Sequence, residues 1–123
     1  MKLNDVSGHV VDASMKVHTK LGPGLQEHVY QACLKHELLK RGLKVVSEVG
    51  MPVKYDDTTI DLGYRLDLLA EDCLIVELKS LAALTPLHKA QLMTYLRISD
   101  LPLGLLINFG QRHLKDGIQR IAN

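Results

Sequence analysis

Three charged side chains lie in the middle of two short apolar segments of the chain. Asp67 stands in RLDLLA, and Glu77 and Lys79 stand in LIVELK. A charge inside a buried strand is costly unless it is paired or binds a metal ion. Two carboxylates can hold Mg²⁺, which prefers a few carboxylates together with waters and substrate phosphate oxygens. The two segments therefore predict a divalent metal site.

The alternation of side chains along a strand decides whether these charges meet. On the second segment, Glu77 and Lys79 share one face. On the first segment, Asp67 lies on the face opposite to Leu66 and Leu68, which are expected in the main core. Asp67 lies opposite Glu77 only if the connecting loop has an odd number of residues or contains a bulge.

A loop centred on Asp72 satisfies this condition, whereas a plain two-residue turn at Glu71 and Asp72 does not. With the odd loop, the carboxylates of Asp67 and Glu77 converge. They would then repel each other and raise one pKa unless a cation lies between them. A divalent metal is the simplest solution.

The alternative is a pair of ordinary ion pairs on a solvated face of the sheet. Arg65 would then pair with Asp67, and Lys79 would pair with Glu77. The strongly apolar setting of LIVELK favours the metal site.

A further carboxylate is predicted on a helix that begins near residue 25. At 100° per residue, Glu27 falls in one column with Tyr30, Leu34 and Leu38, which predicts an inward-facing stripe. The alternative for Glu27 is a favourable position near the helix N-terminus, where the helix dipole stabilises a negative charge.

A later helix carries Gln91 in one column with Leu87 and Tyr95, at intervals of four residues. A glutamine amid an apolar face requires hydrogen-bond partners. Among the six histidines, we retain only His18, near the end of the first predicted helix, as a candidate.

The remaining elements are predicted from apolar periodicity and from turn and capping residues. Their order is typical of a mixed α/β sheet with packed helices. The predicted helices are Ser7–Lys20, Leu25–Arg41 and Pro86 to about Ile98. The predicted strands are Lys44–Val49, Met51–Tyr55, Thr59–Leu69, Leu74–Lys79 and Leu103–Phe109, and Ile118–Ile121 is either an edge strand or a helical tail.

The composition is that of an ordinary globular protein, with 46% hydrophobic and 24% charged residues. We therefore expect residues 1–123 to form one domain. No apolar run approaches the roughly 18 residues of a membrane span, and MKLNDVSGHV lacks the apolar core of a signal peptide, so we expect a cytoplasmic protein with no membrane partner. The net charge of +1 neither requires nor excludes a nucleic-acid partner.

The segment VHTKLGPGLQEHVYQACL, residues 17–34, resembles the signature of the GxxExxY proteins. Gly24, Glu27 and Tyr30 stand at the named positions. That family is placed in the PD-(D/E)xK nuclease superfamily. The ending LLINFG…LKDGIQRI also looks typical of GxxExxY members, so the resemblance covers nearly the whole chain.

The superfamily pattern corresponds here to Asp67 followed by the tripeptide ELK at 77–79. Leu66 replaces the proline of the superfamily's name, a common substitution. The helix with Gln91 and Tyr95 is similar to the QxxxY element of one branch of the superfamily.

The resemblance implies a restriction-endonuclease-like fold, with a central mixed β-sheet flanked by helices, and metal-dependent phosphodiester hydrolysis. Asp67 and Glu77, with the main-chain carbonyl of Leu78, would hold Mg²⁺ or Mn²⁺. Lys79 would orient or deprotonate the attacking water. Glu27 would be a further metal ligand, either directly or through water.

The resemblance also implies that Gln91 positions the substrate or the catalytic lysine and that Tyr95 packs or contacts the backbone. DNA is the expected substrate ahead of RNA. Because so small a domain would bury little nucleic acid alone, we expect a homodimer or a protein partner. The alternative is a catalytically inactive nucleic-acid-binding or assembly module that retains the nuclease fold.

Overall fold

A computed structural model of the protein describes residues 1–61 and 65–123, and the elements below are those of the described residues. The α-helices are α1 (Leu3–Leu21), α2 (Glu27–Lys40) and α3 (Pro86–Ser99). The strands are β1 (Val45–Gly50), β2 (Val53–Tyr55), β3 (Thr58–Ile60), β4 (Arg65–Ala70), β5 (Leu74–Lys79), β6 (Leu103–Asn108) and β7 (Ile118–Ala122). A short 3₁₀ helix, Leu114–Gly117, precedes β7.

The main sheet has five strands in the order β1-β4-β5-β6-β7. Strands β5 and β6 are parallel, and the other neighbouring pairs are antiparallel. The mixed α/β sheet predicted from the sequence is therefore confirmed. Because β5 and β6 run in the same direction, the loops that follow them emerge at the same edge of the sheet.

Helices cover both faces of this sheet. Helices α1 and α2 pack on one face, where Tyr30, Leu34 and Val76 belong to the larger core. Helix α3 packs on the other face through Leu92 and Leu96, which belong to a second cluster. All six residues of β6 are buried, as expected for a central strand covered on both faces.

The predicted helices are confirmed, with shifted ends. α1 begins at Leu3 instead of Ser7, and α2 begins at Glu27 instead of Leu25. α3 begins at Pro86, as predicted, behind a capping box formed by Thr85 and His88. This box satisfies main-chain N–H groups that the first turn of a helix leaves without partners.

The predicted single strand Thr59–Leu69 is wrong. Thr58–Ile60 pairs with Val53–Tyr55 in a separate hairpin, whereas Arg65–Ala70 pairs with β1 and β5. Asp61 belongs to neither strand, and the part of the prediction at 62–64 lies outside the described residues. Two different pairing partners therefore divide a segment whose apolar pattern looks continuous. At the other end of the chain, Ile118–Ala122 is an edge strand, as one of the two alternatives proposed.

Leu66 does not lie in the main core, contrary to the predicted alternation. It packs with the α3-side cluster, whereas Leu68 lies in the main core as predicted. The ladder between β1 and β4 omits the pair Glu48–Asp67, and Glu48 has a φ of 55°. The regular alternation thus changes at Asp67, beside this left-handed residue, and Leu66 and Leu68 occupy opposite faces.

The end of β6 is fastened to the loop that follows β5. Asn108 is fully buried. Its Oδ1 accepts hydrogen bonds from the N–H groups of Leu81 (2.9 Å) and Gly110 (3.0 Å), and its Nδ2 donates to the carbonyl of Leu81 (3.1 Å). A β-carbon at Gly110 would collide with the main-chain atoms of Leu81. The two loops are thereby held together at one edge of the sheet.

Substitution Gly110→Ala should destabilise the protein, because main-chain atoms of Leu81 must move to admit the methyl group. We expect a loss of about 2–4 kcal/mol in the free energy of unfolding, measured by urea denaturation. Gly8→Ala is the matched control, since Gly8 lies within α1 with open space around it and alanine favours a helix by about 1 kcal/mol. An unfolding midpoint of Gly110→Ala equal to that of the wild type would contradict the close contact.

Candidate active site

The turn between β4 and β5 has the odd length that the sequence argument required. Ala70 pairs with Leu74, which leaves a three-residue loop centred on Asp72. Main-chain pairing of the two strands extends as far as Leu68 and Val76. The next position on each strand is Asp67 on β4 and Glu77 on β5, so the predicted register is confirmed.

Two reciprocal hydrogen bonds join the strands at this point. The N–H of Asp67 donates to Glu77 Oε1 (3.1 Å), and the N–H of Leu78 donates to Asp67 Oδ2 (2.8 Å). Carboxylates thus replace carbonyl groups as the acceptors of main-chain N–H groups. The arrangement fixes both carboxyl groups and leaves one oxygen of each outside these two hydrogen bonds.

The electrostatic environment of the pair disfavours two negative charges. Burial, followed by the negative charge of Asp67, raises the pKa of Glu77 to about 8. Burial also raises the pKa of Asp67, and the charges of Glu27 and Glu48 add to that effect. The positive charge of Lys79 opposes both shifts. Without a bound cation, the pair therefore retains a proton near neutral pH.

An open cleft of about 860 Å³ lies beside the pair. Its walls are the α1–α2 loop, the beginning of α2, residues 80–82 after β5, and Gly110. The acidic residues that line it are Glu27, Glu48 and Asp67. The structure thus brings Glu27, predicted from the helical column, to the same cleft as Asp67. We call this region the acidic cleft.

Tyr30 holds the loop that forms one wall of the acidic cleft. Its hydroxyl donates to the carbonyl of Gly22 (2.6 Å) and accepts from the N–H of Leu25 (3.1 Å). Its ring is fully buried and stacks on Phe109 at 4.5 Å. Gly24 lies between Gly22 and Leu25 and has a φ of 105°, a main-chain conformation that residues other than glycine rarely adopt. Tyr30 and Gly24 therefore shape the loop next to Glu27.

Glu48 is a site residue that the sequence argument missed. Its Oε1 accepts a hydrogen bond from Gln31 Nε2 (2.9 Å), and both residues line the acidic cleft. A positive φ is uncommon for glutamate, and here it occurs directly beside Asp67 on the neighbouring strand. The only signal in the sequence was an acidic residue inside the predicted strand Lys44–Val49.

Of the predicted site residues, Asp67 and Glu27 line the acidic cleft, whereas Glu77, Lys79, Gln91, Tyr95 and His18 do not. Gln91 is half-buried on α3, and within residues 1–61 and 65–123 no hydrogen bond joins it to Asp67 or Glu77. Tyr95 is buried in the α3-side cluster. The Nε2 of His18 lies 2.8 Å from the carbonyl oxygen of Gln111. The catalytic role of Gln91 stays a prediction.

The donor atoms near Asp67 and Glu77 fit a hard divalent cation, because carboxylate oxygens are the ligands that Mg²⁺ prefers. Burial is the main cause of both raised pKa values, and a cation would offset it and the repulsion between neighbouring carboxylates by favouring their charged forms. In the described part of the chain, no group of three His, Cys, Asp or Glu side chains is arranged to hold a metal as it stands. Two protein carboxylates are nevertheless enough for Mg²⁺, which usually keeps several waters.

Comparison with known proteins identifies a family. The family model described as the PD-(D/E)XK nuclease superfamily matches residues 4–121. The chain matches no curated protein and no solved structure. Across the described residues, no helix is both long enough and apolar enough to cross a membrane.

Glu77 should make the stability of the metal-free protein depend on pH. Its pKa is about 8 in the folded chain against an ordinary value of 4.5, so between these values the folded state binds more protons than the unfolded state. The free energy of unfolding should therefore fall as the pH rises through this range, by on the order of a few kcal/mol. Glu77→Gln should be more stable than the wild type at pH 8, and its free energy of unfolding should change little between pH 4.5 and 8. Both quantities are measured by urea denaturation with a chelator present.

Glu37→Gln is the matched control for this measurement. Glu37 forms an ion pair with Lys16 at the surface, and the hydrogen bond from Lys16 lowers its pKa. This variant should keep the decline between pH 4.5 and 8. An unchanged decline in Glu77→Gln would show that another group carries the proton.

Proposed function

The chain belongs to the PD-(D/E)XK nuclease superfamily, and from this premise we propose that it is a metal-dependent nuclease that hydrolyses phosphodiester bonds in DNA. Its mixed sheet with helices on both faces is the restriction-endonuclease-like fold of that superfamily. The observation that carries the proposal is the reciprocal hydrogen bonding between Glu77 and Asp67, the member of the pair that lines the acidic cleft.

Within the superfamily, we assign the chain to the GxxExxY proteins. The support lies in the positions of the three signature residues. Gly24 and Tyr30 shape the wall of the acidic cleft, and Glu27 lines the cleft directly. The signature thus has a physical role around the proposed site.

Asp67 and Glu77, with the main-chain carbonyl of Leu78, would hold Mg²⁺ or Mn²⁺. A bound ion of this kind polarises the scissile phosphate and lowers the pKa of a bound water. The two carboxyl groups are positioned in advance, because each already accepts a hydrogen bond from a main-chain N–H. Glu27 is assigned to the same site through a water, since the described side chains form no three-ligand group.

We assign Lys79 two roles, one towards the attacking water and one in stabilising the negative charge that develops on the phosphate. It is half-buried at the end of β5, and its charge acts on both carboxyl groups. It forms no ion pair with a carboxylate among the described residues. Its side chain is therefore available to orient water and to stabilise the transition state as an ammonium group, or to deprotonate water as the neutral amine. Gln91 is assigned a positioning role towards the substrate from α3.

A second candidate function is an inactive nucleic-acid-binding or assembly module. The lack of a preformed three-ligand group in the described part of the chain favours it. Titration with Mg²⁺ and Mn²⁺ discriminates between the two functions. Binding that is lost in Glu77→Ala supports the nuclease, and no metal binding at all supports the module. Under either function, we propose a homodimer or a protein partner, because so small a domain covers little nucleic acid alone.

Asp67→Asn and Lys79→Ala should each lower metal-dependent cleavage by about 100-fold or more while the protein stays folded. Asparagine can still accept the hydrogen bond from the N–H of Leu78, so the strand contact is kept. Cleavage is measured on single-stranded, duplex and branched DNA and RNA with Mg²⁺ and with Mn²⁺.

Asp57→Asn and Lys54→Ala are the matched controls. Both side chains are on the β2–β3 hairpin and do not line the acidic cleft. The two substitutions change the charge in the same way as Asp67→Asn and Lys79→Ala. Their cleavage should equal that of the wild type. Full activity in both Asp67→Asn and Lys79→Ala would refute the assignment of the active site.

A further inference from the structure

A second cavity lies directly beside the acidic cleft. It encloses about 370 Å³, and Pro23 lines both cavities. The chain segment after β6 also connects them, since Gly110 lines the acidic cleft and the residues from Arg112 onward line the second cavity. We call the second one the basic cavity, after its basic side chains: His18, Arg112, His113 and Lys115.

The charges of the basic cavity are not neutralised by the described residues. No acidic side chain lines it, and within residues 1–61 and 65–123 neither Arg112 nor Lys115 forms an ion pair. Arg41 and Lys44, in contrast, are each paired with an aspartate. Asp116 follows Lys115 in the chain but is not part of the lining. Two exposed cations thus face the same concave surface.

The position of the basic segment is fixed by contacts with α1 and with the loop after β5. The Nε2 of His18 lies 2.8 Å from the carbonyl oxygen of Gln111, and the side-chain amide of Gln111 donates to the carbonyl of Ala82 (3.1 Å). Ala82 lines the acidic cleft. The two cavities are therefore held in a defined relation, with negative charge on one side of Pro23 and positive charge on the other.

We propose that the basic cavity binds the phosphodiester backbone of the nucleic-acid strand next to the scissile bond, an inference that rests on the proposed nuclease function. The carboxylates of the acidic cleft repel phosphate groups in the absence of a metal ion. Affinity for the strand must then come from cations nearby. Arg112 and Lys115 supply these cations, since guanidinium and ammonium groups bind phosphate oxygens and release counterions from the strand.

The test is the salt dependence of oligonucleotide binding. Fluorescence anisotropy of labelled single-stranded DNA and RNA is measured with a chelator present, so that no cleavage occurs. The plot of log K against log salt concentration has a negative slope. The double variant Arg112→Ala/Lys115→Ala should make this slope shallower by about 1.4, which corresponds to two lost phosphate contacts on a single strand. Arg97→Ala/Lys54→Ala is the matched control with the same change in charge. It should keep the wild-type slope, because both side chains are exposed and line neither of the two cavities.

The charge-preserving variant Arg112→Lys/Lys115→Arg should retain most of the slope, which separates loss of charge from loss of folding. Equal slopes for the wild type and the alanine variant would overturn the inference and leave the proposed nuclease untouched. Absence of any oligonucleotide binding by the wild type would also overturn it. Wild-type binding that depends on Arg112 and Lys115, without cleavage of any substrate, would support the basic cavity while the proposed nuclease fails.

Discussion

Two hydrogen bonds between β4 and β5 define the centre of this molecule. They run from the N–H of Asp67 to Glu77 and from the N–H of Leu78 to Asp67. Burying two carboxyl groups beside each other is unfavourable, and burial raises the pKa of both Asp67 and Glu77. The main-chain donors offset part of this cost, because a hydrogen bond to a charged group is stronger than one between neutral groups. The remaining repulsion suits a divalent cation, which would stabilise the same two carboxylates in their charged form.

The surrounding elements keep this pair accessible from one side. Tyr30 fixes the loop before α2, and Asn108 fastens the loop after β5 to the end of β6. Both are fully buried and form hydrogen bonds with main-chain groups in these loops, as buried polar groups require. Because β5 and β6 are parallel, these loops meet at the carboxyl ends of two neighbouring strands. Ligand sites commonly form at this position in α/β proteins, and the acidic cleft lies there.

Charge is segregated across the surface although the chain as a whole is nearly neutral. The net charge of +1 conceals an acidic cleft and a basic cavity on either side of Pro23. In the proposed function, one phosphate of a strand would share a cation with the carboxylates while another would contact Arg112 and Lys115. Local arrangement of charge, and not its total, governs attraction of this kind.

The sequence by itself determined the three helices, the inward column of Tyr30, Leu34 and Leu38, and the condition that Asp67 meets Glu77 only across an odd or bulged turn, which the structure then satisfied. These features follow from local periodicity and parity, which the chain carries in adjacent residues. Only the tertiary structure decided that Thr59–Leu69 is divided between two sheets and that Glu48 enters the cleft. It also decided that Leu66 packs towards α3. These outcomes depend on which strands pair and on the change of alternation at Asp67. Such pairings join residues far apart in the chain, so no short segment of the sequence contains them.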